Sequence, residues 1–285
     1  MAECSGGSCG QSQQDKQQQR EIQEQAMKDA LGKIKHKFLV MSGKGGVGKT
    51  SVSVNIAIAL ANRGFQVGVM DVDLHGPDVP RMLGLRGMVG AGANEKLAPI
   101  AYSDHLKAIS IESLMPNKDD AVIWRGPLKH SAISQFISDV DWGDLDFLIV
   151  DSPPGTGDEP LSVAQTISDC RPLIVTTPQE VALWDIRKSI NFCKKIEREL
   201  FGLVENMSGY VCPHCGKTVE LFGTGGGEKT AKEFGINFLG RIPFDPNLVK
   251  AGDEGTSFQD QYRESEASRA FDGIAGHLAR LMGEE

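Results

Sequence analysis

The chain alternates short apolar runs with longer stretches of helical periodicity from residue 37 onward. The apolar runs predict strands at 37–42, 66–71, 107–111, 146–151, 172–176, 201–207 and 236–241. Helical patterns lie near 48–62, 127–139, 160–168, 180–200, 227–234 and 264–282. Such alternation indicates parallel strands that are joined by crossover helices. We therefore predict an α/β fold with a single doubly wound, mainly parallel sheet and helices on both faces.

Three segments interrupt this alternation. Residues 1–20 are polar and low in complexity, so we predict a disordered tail there, rich in Cys and Gln. The glycine-rich stretch 84–98 predicts a flexible excursion, and residues 209–220 form an insertion with two cysteines. The expected organisation is the tail followed by one domain at 21–285, which begins with a possible helix at 21–33.

A glycine-rich motif separates the first predicted strand from the first long helix. Residues 43–50 read Gly-Lys-Gly-Gly-Val-Gly-Lys-Thr and match the P-loop pattern G-x-x-x-x-G-K-[ST]. Backbone N–H groups of such a loop point at phosphate oxygens, and the helix dipole favours the same negative charge. Lys49 is expected to reach the β- and γ-phosphates, and the Thr50 hydroxyl to ligate Mg²⁺. The predicted nucleotide-binding residues are Gly43, Lys44, Gly45, Gly46, Val47, Gly48, Lys49, Thr50 and Ser51.

Acidic residues end two further predicted strands, and carboxyl ends of parallel strands carry the ligand groups in such sheets. Asp151 resembles the Walker B aspartate that holds Mg²⁺, and Asp73 is placed to orient an attacking water. The alternative is that acids simply end buried strands. The P-loop upstream favours the functional interpretation, so Lys49 and Asp73 are candidate catalytic residues. Lys44, in the second P-loop position, either is solvated or acts on a phosphate that is bound to a partner subunit.

Cys212-Pro-His-Cys215 is a thiol pair on a predicted tight turn. Two thiolates at this spacing can bind one metal ion or one corner of a cluster. A four-ligand site needs two more ligands, and a two-fold symmetric dimer would supply them from its second copy. A redox dithiol and a structural zinc site remain alternatives. We predict that Cys170 and Cys193 are buried as small hydrophobic residues.

Composition limits the classes of partner. The 285-residue chain has a net charge of −8, which argues against a nucleic-acid-binding face. No apolar run approaches the roughly 18 residues that a membrane span needs, and the N-terminus lacks an apolar signal region. We therefore expect a cytoplasmic protein that binds neither nucleic acid nor membrane.

Together these motifs resemble the Mrp/ApbC-type iron–sulfur cluster carriers, which belong with the MinD and ParA ATPases to the deviant-Walker group of P-loop NTPases. The matching segments are Gly43–Thr50, Asp71–Pro77, Val122–Pro127, Gln135–Trp142, Asp151–Asp158, Val204–Ser208 and Cys212–Cys215. The Trp-Arg-Gly-Pro and Pro-Pro-Gly-Thr-Gly-Asp pieces are far more family-specific than a P-loop alone. The resemblance covers most of the chain, from about Phe38 to Pro246.

The resemblance implies a slow, Mg²⁺-dependent ATPase that forms a homodimer. Lys44 matches the signature lysine that acts across a nucleotide-sandwich dimer. Asn206 falls where these ATPases read the adenine ring, and Pro243 where the base pocket closes. Cys212 and Cys215 match the pair that holds a labile [4Fe–4S] cluster between two subunits, from which it passes to apo iron–sulfur proteins.

Two other functions remain open at this stage. One is a MinD- or ParA-like positioning ATPase, and the other is an ATPase with a structural zinc at its dimer interface. Eukaryotic cytosolic relatives of the carriers have four N-terminal cysteines for a second cluster. This chain has only Cys4 and Cys9 there, which favours a bacterial or archaeal carrier with no tail cluster of that kind.

Overall fold

The computed structural model describes residues 25–73, 76–85, 89–91, 96–114, 126–212 and 214–285. The predicted tail at 1–20, with Cys4 and Cys9, lies outside the described residues, as does most of the Val122–Pro127 motif. Residues 25–32 are helical and are called α1 here, in the region where a helix was expected.

The other elements follow in the order that the apolar pattern predicts, with several short additions. The strands are β1 (Ile34–Ser42), β2 (Val67–Asp71), β3 (Gly90–Ala91), β4 (Leu97–Ala98), β5 (Ile100–Ala101), β6 (Leu106–Ser110), β7 (Leu145–Asp151), β8 (Arg171–Thr176), β9 (Gly202–Glu205), β10 (Tyr210–Val211), β11 (Thr218–Val219) and β12 (Asn237–Arg241). The helices are α2 (Lys49–Asn62), α3 (Val79–Met82), α4 (Gly126–Asp139), α5 (Asp158–Thr166), α6 (Glu180–Lys195), α7 (Gly226–Phe234), α8 (Pro246–Glu254), α9 (Phe258–Gln261) and α10 (Glu266–Leu281). A 3-10 turn spans Ile111–Leu114.

The described strands form one large sheet in the order β12-β9-β8-β1-β7-β2-β6-β5. Neighbouring strands are parallel except β5, which runs antiparallel to β6 at the edge. The strand that leads into the P-loop, β1, therefore lies between β8 and β7. The predicted doubly wound, mainly parallel sheet is confirmed, and the motif-bearing strands are neighbours within it.

Apolar side chains cover both faces of the sheet. Along β1, Phe38 and Val40 pack into one apolar core with α2 and α10, while Leu39 and Met41 pack into another with α4 and α5. This alternation follows from the two-residue period of a strand, whose successive side chains point to opposite faces. Burial on both faces explains why the central strands are continuous apolar runs.

Several boundaries differ from the predicted ones. Helix α6 ends at Lys195 rather than near 200, and Glu197 just beyond it has a left-handed φ of 55°. Strand β9 ends at Glu205 rather than 207, and Met207 has a φ of 56°. Local backbone conformation, which apolar periodicity does not report, ends both elements.

Two helices between β12 and α10 were not predicted, although the sequence signals their starts. Asp245 caps α8 by accepting a hydrogen bond from Asn247 N, and proline occupies the first position of that helix. Ser257 caps α9 in the same way. Within the described ranges, no helix combines the length and the apolar character that crossing a membrane requires.

Candidate functional site

The P-loop connects the end of β1 to the start of α2 at the carboxyl edge of the sheet. Gly46 and Gly48 have φ values of 79° and 78°, which L side chains rarely adopt. Gly48 caps α2 without any side-chain hydrogen bond, and the first turn of α2 contains no acidic residue. The first N–H groups of the helix therefore face an environment that suits an anion.

Three donors of α2 converge on Asp151, which ends the neighbouring strand β7. The Asp151 Oδ2 atom lies 2.6 Å from Lys49 Nζ and accepts a hydrogen bond from Thr50 Oγ1 at 2.8 Å. The Oδ1 atom accepts one from Ser53 Oγ at 2.6 Å. Lys49 and Ser53 are one helical turn apart and share a face of α2. The structure thus brings together the predicted residues Lys49, Thr50 and Asp151, and the oxygen atoms of the last two are of the kind that Mg²⁺ binds.

Asp71 and Asp73 follow the next strand, β2. Asp71 is fully buried and pairs in register with Asp151. Burial raises the pKa of Asp71 well above its usual range, and the nearby charge of Asp151 raises it further. The backbone N–H groups of Asp73 and Val79 donate to the Asp71 carboxyl group and partly offset this rise. Asp71 therefore shapes the loop that carries Asp73.

The predicted catalytic Asp73 is buried at this edge, and its Oδ1 atom accepts a hydrogen bond from Gly76 N at 3.2 Å. Lys44 is half-buried, and its ammonium group has no hydrogen-bond or ion-pair partner among the described residues. Gly43 lies so close to α6 that an added Cβ would be 2.6 Å from the carbonyl carbon of Asp185. The catalytic roles of Lys44 and Asp73 stay predictions.

Asn206, the predicted adenine-reading residue, lies directly against the P-loop. Its Nδ2 atom donates to Val47 O at 2.9 Å, and the side chain is buried. An added Cβ on Gly48 would overlap this same amide nitrogen. Pro243, the predicted base-pocket residue, follows β12 and lines a cavity of about 380 Å³ with Tyr210.

The two cysteines of the insertion lie at the tip of the β10–β11 hairpin. Cys212 N donates to Lys217 O, and Gly216 N donates to Cys212 O, which closes the turn. Cys212 is half-buried and Cys215 is exposed. Hydrogen bonds from the backbone N–H groups of His214 and Cys215, and from the Cys215 thiol, lower the pKa of Cys212. The turn therefore makes the thiolate of Cys212, the form that binds metal, easier to form.

The other two described cysteines differ from this pair in burial and in the pKa of the thiol. Cys170 and Cys193 are buried in the apolar core, as predicted. Burial raises the pKa of each thiol to about 12, so both remain protonated and unreactive at neutral pH. In the part of the chain that the structure describes, no group of three His, Cys, Asp or Glu side chains is arranged to hold a metal ion.

A second glycine-rich loop, and the acid that binds its N–H groups, were not predicted from the sequence. Residues 223–225 lead into α7. The buried carboxylate of Glu205 accepts hydrogen bonds from Gly225 N at 2.8 Å and from Gly227 N, in the first turn of the helix, at 2.5 Å. It also accepts one from Ser208 Oγ at 2.5 Å. The available signal was the same as for Asp151, because Glu205 ends an apolar strand.

Comparison with known proteins agrees with this geometry. A protein-family model described as ParA, NUBPL iron-transfer P-loop NTPase, matches residues 33–279. The chain belongs to this family.

Relatives within this iron-transfer NTPase family cover most of the chain. An iron-sulfur cluster carrier protein of Methanocaldococcus jannaschii is 50% identical over 82% of this chain and 81% of its own length. One from Saccharolobus solfataricus is 46% identical over 87% of this chain and 84% of its own. A nucleotide-binding protein from Archaeoglobus fulgidus, solved in complex with ADP, superposes with a TM-score of 0.72 at 37% identity, over 81% of this chain and 91% of that one. The cell-division ATPase MinD of Pyrococcus furiosus has the same fold, with a TM-score of 0.65 at 24% identity over 86% and 99% of the two chains.

Proposed function

We propose that this protein is a Mg²⁺-dependent ATPase that holds a [4Fe–4S] cluster between two copies of the chain and transfers it to apo-proteins. The observation that carries the proposal is the Cys212–Cys215 pair, which lies on a tight turn at the tip of a hairpin with Cys215 exposed. The names of the archaeal carrier proteins, at 46–50% identity, support the same assignment.

The residues around the P-loop fit a nucleotide with Mg²⁺. Lys49 would contact the phosphates, while the Thr50 hydroxyl and the Asp151 carboxylate would bind the metal ion. Bound Mg²⁺ supplies charge that neutralises the phosphate oxygens. Asp73 would position the attacking water, and Lys44, which has no partner among the described residues, would reach a phosphate in the second subunit. Turnover would be slow, as suits a switch, and the protein would act in the cytoplasm.

The cluster is cargo, and the cysteine pair suits temporary holding. A [4Fe–4S] cluster takes four thiolates, and each chain would supply Cys212 and Cys215. A two-fold axis between the hairpins of a homodimer would complete the set. Because each subunit holds only half of the ligands, separation of the two hairpins would expose the cluster to an apo iron–sulfur protein.

Anaerobic loading with iron and sulfide tests this function. The wild-type protein should turn brown and bind about four iron and four sulfide ions per two chains. The double variant Cys212→Ala/Cys215→Ala should stay colourless and bind neither. Cys193→Ala is the matched control, because it removes a thiol that is buried far from solvent, and it should load like the wild type.

The same samples separate the alternatives. A colourless wild-type protein that binds zinc through the two cysteines would contradict cluster carriage and support a structural zinc. Cosedimentation with liposomes or DNA that requires ATP would support a positioning ATPase. Activation of an apo iron–sulfur enzyme by the loaded protein, measured as recovered enzyme activity, completes the test of transfer.

A further inference from the structure

Two adjacent residues at the end of β9 link the P-loop to the segment that leads into the cysteine hairpin. Asn206 donates its side-chain N–H to Val47 O in the P-loop at 2.9 Å. Glu205 accepts the Ser208 hydroxyl at 2.5 Å, and Ser208 belongs to the segment that leads into the cysteine hairpin. The P-loop and the hairpin are therefore joined through one dipeptide.

The segment between β9 and β10, called the hairpin stem here, comprises residues 206–209. Backbone hydrogen bonds hold it against the loop after β12: Ser208 N donates to Ile242 O at 2.9 Å, and Phe244 N donates to Gly209 O at 2.7 Å. The rings of Tyr210 and Phe244 are in contact with centroids 6.2 Å apart. The hairpin stem, the base of the hairpin and the loop with Pro243 are thus linked as one unit.

This unit contains one residue with a strained backbone, and its surface borders a cavity. Met207, between Asn206 and Ser208, has a φ of 56°, which costs energy in a residue other than glycine. Tyr210 and Val211 line the 380 Å³ cavity, so the base of the hairpin is not packed tightly on that side. A strained residue in the hairpin stem, together with open space at the base of the hairpin, permits a second arrangement that close packing would forbid.

We propose that the Glu205–Asn206 junction couples nucleotide occupancy of the P-loop to the exposure of Cys212 and Cys215 within a single chain. Displacement of the Val47 carbonyl when phosphate enters the loop is passed through Asn206 to the hairpin stem. Glu205 and Ser208 act as positioning residues that fix the other end of the stem. The biological role of this coupling rests on the proposed function, because the coupling would control how tightly a cluster is held. The coupling itself requires no second subunit.

Alkylation of the cluster-free, full-length protein tests the coupling. The rates of modification of Cys212 and Cys215 by iodoacetamide are measured by peptide mass spectrometry, with and without ADP and Mg²⁺. Cys170 and Cys193 serve as internal standards of folding, because they are buried. We expect nucleotide to change the rates at least about fivefold, the low end of typical coupling between sites. The ratio of the modification rates with and without nucleotide should not depend on protein concentration.

Ser208→Ala should bring the ratio with and without nucleotide towards one while ADP affinity stays at the wild-type value. Thr230→Ala is the matched control, since it removes a hydroxyl from the neighbouring helix α7 that bonds only within that helix, and it should keep the wild-type ratio. Glu205→Gln is a second variant at the same joint and should also reduce the ratio.

Three results would overturn the coupling: a wild-type ratio of one, a wild-type ratio in folded Ser208→Ala and Glu205→Gln, or a ratio that rises with protein concentration. The last would assign the effect to subunit pairing. A protein that responds to ADP in this way yet never loads a cluster would defeat the proposed function alone. A protein that loads a cluster but whose thiols ignore nucleotide would defeat this inference alone.

Discussion

Two glycine-rich loops of this chain each lead into a helix through a capping glycine with a left-handed φ. The P-loop at 43–48 precedes α2, and the loop at 223–225 precedes α7. Their capping glycines, Gly48 and Gly225, have φ values of 78° and 80°, and neither helix has a side-chain cap from its own capping residue. By local geometry, both helix N-termini are suited to bind an anion.

The difference lies in what meets each N-terminus. Glu205 brings its own carboxylate to the N–H groups of α7 and fixes that helix to β9. At α2 the nearest acid, Asp151, instead bonds the side chains of Lys49, Thr50 and Ser53. A glycine-rich helix start therefore becomes a ligand site or an internal joint according to one residue that is distant in sequence.

The largest expected effect is on nucleotide hydrolysis. Lys49→Ala should lower kcat/KM for ATP on the order of 10²–10³-fold, because it removes the ammonium group that would stabilise the negative charge of the phosphates. Asp151 keeps its hydrogen bonds from Thr50 and Ser53, so the fold should survive, as circular dichroism can check. Lys229→Ala, in the first turns of α7, is the control and should hydrolyse ATP at the wild-type rate. Equal losses in the two variants would show that the loops are not functionally distinct.

The next effect is on stability and concerns the second loop. Glu205→Ala should lower the free energy of unfolding by about 3 kcal/mol, since the buried N–H of Gly227, the half-buried N–H of Gly225 and the Ser208 hydroxyl lose a charged acceptor. Urea denaturation measures it. The control is Glu228→Ala, whose exposed side chain pairs with Arg241 at the surface and should cost less than about 1 kcal/mol.

Added formate extends this prediction. If Glu205 occupies a true anion site, formate should restore more stability to Glu205→Ala than to the wild-type protein, because it supplies the missing carboxylate. Similar unfolding energies for Glu205→Ala and Glu228→Ala, with no response to formate, would mean that the second loop does not need an anion.

The same contrast explains which parts of the site could be predicted from the sequence. Lys49, Thr50 and Asp151 could be predicted to converge, because a P-loop motif fixes the first two and parallel neighbouring strands bring the third to the same edge. The cysteine turn was equally accessible, since Pro and Gly around Cys212 and Cys215 are local signals. Local motifs and strand order were enough for these parts.

Contacts between segments that are distant in the sequence could not be predicted. Asn206 bonds Val47 across 159 positions, and Glu205 bonds Gly227 across 22. Both contacts depend on where β9 ends, which the apolar run placed two residues too late. An acid at a strand end has several possible partners, and only the packing of α7 against β9 decides that Glu205 caps a helix.

The smallest expected effect compares the two capping glycines. Gly225→Ala should cost about 1 kcal/mol, the penalty for a side chain at a left-handed φ. Its Cβ would lie 3.4 Å from the flexible end of Arg241, which can move aside. Gly48→Ala has the same backbone penalty and also overlaps the buried Asn206 amide. We therefore expect ADP titration to show wild-type affinity for Gly225→Ala and clearly weaker binding for Gly48→Ala, with urea unfolding to rank their stabilities. Weakened ADP binding in Gly225→Ala would mean that the second loop also acts on the nucleotide, which its Glu205 carboxylate should prevent.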